Sequence, residues 1–150
     1  LWRRHFGLGA AALRDLPTLQ RIACPSGGCG AAEVQAALDA GHRALWLQGD
    51  WQLSAPVAWR HALGLLLLVD GQVRWQGAQE IDALLVARDI SWQHGGGGVA
   101  RLRGALMSLG AVDLGGPVEV VRDAALLERM RGTLGVYASV PGSWQDFVNR

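Results

Sequence analysis

The chain has 150 residues, half of them apolar and 18% charged, a balance that excludes a disordered tail and suits one domain with a core of its own. A formal net charge of +1 supplies neither the basic field that nucleic acid demands nor an acidic tail, so electrostatics names no partner. No apolar run reaches the 18 residues or so of a membrane span. The sequence begins at Leu1, without Met or signal peptide, and reads as a piece of something longer.

Helical spacing dominates the start. Trp2, Phe6, Ala10, Leu13 and Leu16 recur on one face with Arg3, Arg4, Arg14 and Asp15 between them, and Pro17 ends or kinks the run. Leu19 to Ala23 is expected to resume it. The only two cysteines follow, in Cys24-Pro25-Ser26-Gly27-Gly28-Cys29. Two thiols fall short of the four ligands of a structural zinc site. A loop of Pro, Ser and two Gly can bring the sulfurs together, so a Cys24–Cys29 disulfide is expected, worth about 2 kcal/mol in the chain-entropy model. Such a bond belongs outside the cytoplasm; the plainer alternative is two free thiols in a turn. A second helix is predicted from Ala31 to Ala40, with Val34, Ala37 and Leu38 as its apolar stripe and Gly41 as its stop.

From Ala44 the period changes to short apolar runs bounded by Gly and Asp, which are better strands than helices. Leu47–Leu53, Val69–Gly77, Ala87–Gly95 and Leu109–Gly115 each set an apolar strand against a turn. Their turn residues Asp50, Asp70, Asp89 and Gly110 recur at roughly 20 residues, the period of a solenoid in which each coil buries its apolar side only against its neighbours. Val99 to Leu109 alternates, and Pro117 to Val121 closes the series. Asp123 then looks like a helix N-cap for Ala124 to Arg131, with Gly132 as the stop. The ending, Val140 to Phe147, is loop-like, and its Trp144 and Phe147 are expected to pack back on the core.

Three features invite chemistry. Asp50, Asp70 and Asp89 can line one edge of a solenoid, as the carboxylates of polysaccharide-cleaving β-helices do, yet Asp is also a turn former that bonds its own backbone. Trp51, Trp75 and Trp92 head Trp-Gln pairs in successive rungs; they read as a stacked aromatic ladder, or, if exposed, as an adhesive sugar-binding face. Gly95 to Gly98 lacks the strand, lysine and helix of a phosphate loop and reads as a link between rungs. His5, His42, His61 and His94 are scattered and assemble no catalytic set. No catalytic residue, metal site or cofactor is assigned.

Arg101-Leu102-Arg103-Gly104-Ala105-Leu106, Val121 to Arg131 and the ending Val-Pro-Gly-Ser-Trp-Gln-Asp-Phe of Val140 to Phe147 together carry a resemblance. In them the chain resembles the periplasmic part of bacterial type IV pilus assembly proteins of the PilX type, over about the last third of its length. The resemblance implies a minor pilin or pilin-like accessory, anchored in the inner membrane by a helix preceding Leu1 and exposed to the periplasm or cell surface. Its partners would be other minor and major pilins, and its roles pilus biogenesis, adhesion and twitching motility. It implies that Trp2, Phe6 and Leu13 contact those partners.

The fold expected is therefore mainly β with N-terminal α-helices, a short parallel β-solenoid of about four coils, and one short helix near the C-terminus. An antiparallel sheet of the same strands is the alternative. The chain is taken as a single exported domain, with a helical part and Cys loop at 1–43, β rungs at 44–121 and a helix with closing loop at 122–150. The expected function is non-enzymatic, by protein–protein contact in pilus assembly or at the tip. The rival is a β-helical carbohydrate-binding or carbohydrate-cleaving envelope module, with glycan or surface ligands.

Overall fold

Apolar residues run uninterrupted where both faces of a strand are covered and alternate where one face meets water. The two patterns sort the strands of this chain into two sheets. The structure, a computed structural model, describes residues 19–134. Its elements are β1 (Leu19–Ala23), α1 (Ala31–Asp39), β2 (Ala44–Gln48), β3 (Trp51–Leu53), β4 (Ala58–Trp59), β5 (Leu65–Val69), β6 (Gln72–Gln76), β7 (Glu80–Ala87), β8 (Asp89–Gln93), β9 (Ala100–Ser108), β10 (Val112–Gly115), β11 (Val118–Arg122) and α2 (Ala124–Leu134). One sheet runs β1-β2-β5-β7-β9-β11 with β4 beside β7; the other runs β10-β8-β6-β3. Every strand pairing is parallel, which sets aside the antiparallel alternative and makes the described chain a β-solenoid-like coil.

Stacked coils place like residues in columns. Leu45, Leu67, Leu85 and Leu106 stand in one column of the larger sheet. Leu53, Trp75, Trp92 and Leu114 form a column of the smaller one. The central strands of the larger sheet are buried on both faces, β5 at all five residues, while β6 and β8 of the smaller sheet alternate. Inside the coil lie Leu45, Leu65, Leu67, Leu85 and Leu102 with the three tryptophans. Outside it, Trp46, Leu66, Leu68, Leu84 and Val86 pack against Leu127 and Met130 of α2.

Helix α1 occupies the third side of the first coil and closes that end of the interior. Its Val34 is fully buried, with Ala31, Ala37 and Leu38 beside it. The Glu33 carboxylate accepts from the Gly30 N–H at 2.7 Å and holds the first turn. Trp51 Nε1 donates to the Gly30 carbonyl at 3.2 Å, and Trp59 Nε1 to Gln35 Oε1 at 2.7 Å. At a far corner, Gln79 is fully buried, and its amide is satisfied on both sides: Oε1 accepts from Val57 N, and Nε2 donates to the Ala55 and Gln76 carbonyls, each at 2.9 Å.

The expected N-terminal helices are corrected. Leu19–Ala23 is a strand, registered Leu19 to Ala44 through Ala23 to Gln48 on β2. Five residues cannot hold a helix by themselves, whereas the exposed edge of β2 offers each a ladder partner. Among the described residues there are two short helices, and neither precedes β1. The helical run at 1–18, with Trp2, Phe6 and Leu13, lies outside the described residues, as does the ending from Gly135 onward.

The interior tryptophans meet edge to face, Trp51 with Trp75 at 5.2 Å between ring centroids and Trp75 with Trp92 at 5.1 Å. Trp92 Nε1 donates to the Gly77 carbonyl at 3.1 Å, but Trp75 Nε1 is buried without a hydrogen-bond partner. Trp92→Phe loses a hydrogen bond, although the Gly77 carbonyl keeps the Gln79 N–H at 3.1 Å; Trp75→Phe removes a polar group that already lacks one. Denaturant unfolding is expected to find Trp75→Phe less damaging than Trp92→Phe by about 1 kcal/mol. Equal losses would mean that ring volume alone decides the ladder.

Candidate functional site

Two of the three aspartates singled out for chemistry, Asp50 and Asp89, are corner pins. Asp50 Oδ1 accepts from the N–H of Gln72 at 2.9 Å, and Asp89 Oδ1 from the N–H of Ala111 at 2.8 Å. Each carboxylate therefore bonds backbone, but of the next coil rather than of its own turn. The contact requires a glycine just before each donor. A Cβ on Gly71 would collide with Asp50 Oδ1, and one on Gly110 with Asp89 Oδ1. Asp70 sits at the intervening corner, where its own N–H donates to the Leu47 carbonyl at 3.0 Å.

The aromatic ladder is equally engaged. Trp51, Trp75 and Trp92 are exposed by 1% or less, so no sugar can stack on them. Trp51 departs from the expected like position: it pairs with Val73, while Trp75 pairs with Trp92. Cys24 and Cys29 form a disulfide across 4.8 Å between Cα atoms. It fastens the first corner over the second, where Cys29 N donates to the Asp50 carbonyl and Gln52 N to the Cys29 carbonyl. At the glycine link, buried His94 places Nε2 3.2 Å from the Gly98 carbonyl and ties the loop to its own base. Among the described residues no group of three or more His, Cys, Asp or Glu side chains could hold a metal, and no helix is long and apolar enough to cross a membrane.

Charge climbs one flank of the coil in alternating sign. Arg60 lies 3.9 Å from both Glu80 and Asp82. Glu80 and Asp82 stand in register with Arg101 and Arg103, and these pair with Glu119 at 3.5 Å and Asp123 at 2.9 Å. Asp123 also caps α2, its Oδ1 accepting from Leu126 N at 3.0 Å. The hydrogen bond from Arg103, then that from the Leu126 N–H, holds the Asp123 carboxyl below the usual carboxylate range.

The feature without an internal role is the last coil. Val112, Leu114 and Val120 stand in register with Ile90, Trp92 and Leu102, all interior residues exposed by 2% or less. In the last coil the same phase is 46%, 40% and 38% exposed, and Leu109 is 54% exposed beside it. No described strand pairs with the outer edges of β10 and β11. Among the described residues this end of the solenoid thus presents apolar side chains flanked by two rows of backbone donors and acceptors, the chemistry that accepts an added strand. Sequence reasoning recorded these residues as one more rung; their exposure depends on which strands stand beside them, which no local pattern encodes. Comparison with protein-family models, with curated proteins and with solved structures gives no match.

Asp50→Ala and Asp89→Ala are each expected to lower unfolding free energy by about 1 kcal/mol, with additive losses because the corners share no partner. No loss in either variant would show that water replaces the carboxylate. For Asp123, the depressed folded pKa means its contribution is complete above the unfolded value of about 3.9 and disappears as pH falls through the folded one. Asp123→Asn keeps a capping oxygen but no charge. The stability gap between it and the wild type is expected to be widest near neutrality and to narrow as pH drops below about 4; a gap constant with pH would remove the ion pair from the account.

Proposed function

We propose that this chain is a non-enzymatic, exported module working by protein–protein contact through the open end of its coil. The carrying observation is the set Leu109, Val112, Leu114 and Val120, exposed at positions or beside positions whose counterparts one coil earlier are core. A partner strand laid on β10 or β11 gains ladder hydrogen bonds and covers those side chains together. Export is supported by the Cys24–Cys29 disulfide.

The more specific form of the proposal is a minor component of a bacterial type IV pilus, meeting other pilins in the periplasm or at the cell surface, in assembly or at the tip. Its support is the resemblance in Arg101–Leu106, Val121–Arg131 and Val140–Phe147. The first of these lies within β9; the second spans the end of β11 and most of α2. The rival carbohydrate module rested on the aspartates and the tryptophan ladder. Asp50 and Asp89 are bound to backbone and the ladder is interior, so those residues lend it no support.

The test is pilus sheared from cells lacking the gene, complemented with the wild-type gene or with the double variant Leu114→Asp, Val120→Asp. Both substituted residues are solvent-exposed, so the variant is expected to accumulate at the wild-type level. Loss of pili that the wild type restores and the double variant does not is the expected result. Normal pili in the deletion strain would overturn the pilus assignment; full restoration by the double variant would overturn the open end as the contact.

A further inference from the structure

A second surface stands apart from the open end. A groove of about 490 Å³ runs between the C-terminal part of α1 and the segment that includes β4 and the turn after it. His42, Arg43, Arg60 and His61 line it, and no carboxylate does. A neighbouring hollow of about 460 Å³ shares Arg60 and His61 and adds Arg103 and Arg129, with Asp82 as its acidic member. On a chain whose overall charge is close to zero, arginines so gathered mark a place for an anion.

The groove has a fixed apolar wall. Trp59 is stacked on Trp51 with 6.0 Å between centroids and 14° between planes, and its Nε1 is tied to Gln35 Oε1. Leu38 and Leu65 continue that wall. His61 Nδ1 accepts from the Leu63 N–H at 3.1 Å, which leaves Nε2 to carry the ring proton as a donor. Arg60 is the adjustable element. Its two acidic neighbours lie at the 3.9 Å limit of an ion pair and its side chain is 53% exposed, so little holds the guanidinium where it is. A planar guanidinium that is loosely engaged suits bidentate capture of a carboxylate.

We propose that this groove binds a carboxylate-bearing sugar. The carboxylate lies against Arg60 and Arg43, the hydroxyls meet His61 and His42, and an apolar edge of the ring rests against Leu38, beside the 7%-exposed rim of Trp59. The volume falls within the ordinary range of small-ligand clefts, and the mixture of an apolar wall with a few convergent polar groups is what such clefts require. The site stands apart from the strand-accepting end.

The test is titration of the purified 150-residue chain at low salt with galacturonate, galactose and acetate, read by tryptophan fluorescence and by amide chemical shifts. Saturable binding of galacturonate at least tenfold tighter than of either control is expected. Arg60→Gln should weaken galacturonate at least tenfold while leaving the melting temperature unchanged. Ala58→Trp, at an exposed position lining the groove, should block binding by filling it. Parity of galactose with galacturonate would overturn the carboxylate's role, and parity of acetate would overturn the sugar's. Absence of saturation, or wild-type affinity in both variants, would overturn the site.

Discussion

In a parallel coil no strand can satisfy its backbone from its immediate neighbours in sequence. Each ladder bond reaches to the next turn, roughly 20 residues along, so nothing is stable until several turns are in register. The rest of the molecule follows from this constraint. Columns of like residues arise because each leucine or tryptophan must fit the one below it, and the corners must repeat closely enough to keep the columns aligned. The Asp50 and Asp89 carboxylates serve the corners by bonding the backbone of the following coil, with a glycine leaving the necessary space. Gln79 does the same elsewhere by tying Ala55, Val57 and Gln76 with one buried amide.

Much of the coil was legible because its signals are local. The apolar run at Leu65–Val69 was readable as a strand and Val69–Gly77 as an apolar strand set against a turn; the structure adds that the first is buried at every residue and that Gln72–Gln76 alternates. The stripe of Val34, Ala37 and Leu38 marked α1, and Asp123 marked the start of α2. What escaped depends on distant partners. Leu19–Ala23 has the spacing of a helical turn and becomes a strand only because β2 offers it an edge. An Asp in a turn is visible in sequence, but its acceptance of an N–H from another coil is not. A lone Gln between Ala78 and Glu80 gives no hint that it will be fully buried.

The two ends differ in kind, and function is read from that difference. At the first coil, α1 fills the interior and the disulfide fastens the corner. At the last, residues with interior phase face solvent beside unpaired strand edges. Among the described residues the outer edge of β1 is unpaired as well, so the two ends differ less in their strand edges than in the apolar side chains they show to solvent. The groove beside α1 adds a chemically distinct contact near the closed end.

The seal that α1 makes also governs how the molecule comes apart. A stack of coils behaves as a one-dimensional array whose stability is a sum of unit and neighbour terms. In such an array the unit with a single neighbour opens first. Among the described residues the turn carrying β10 and β11 has a coil on one side only, whereas the first turn is held by a helix and a covalent bridge. Within the described turns, opening is therefore expected to start at the last and run toward the first, and a partner seated on the last turn would act as a latch for every turn behind it.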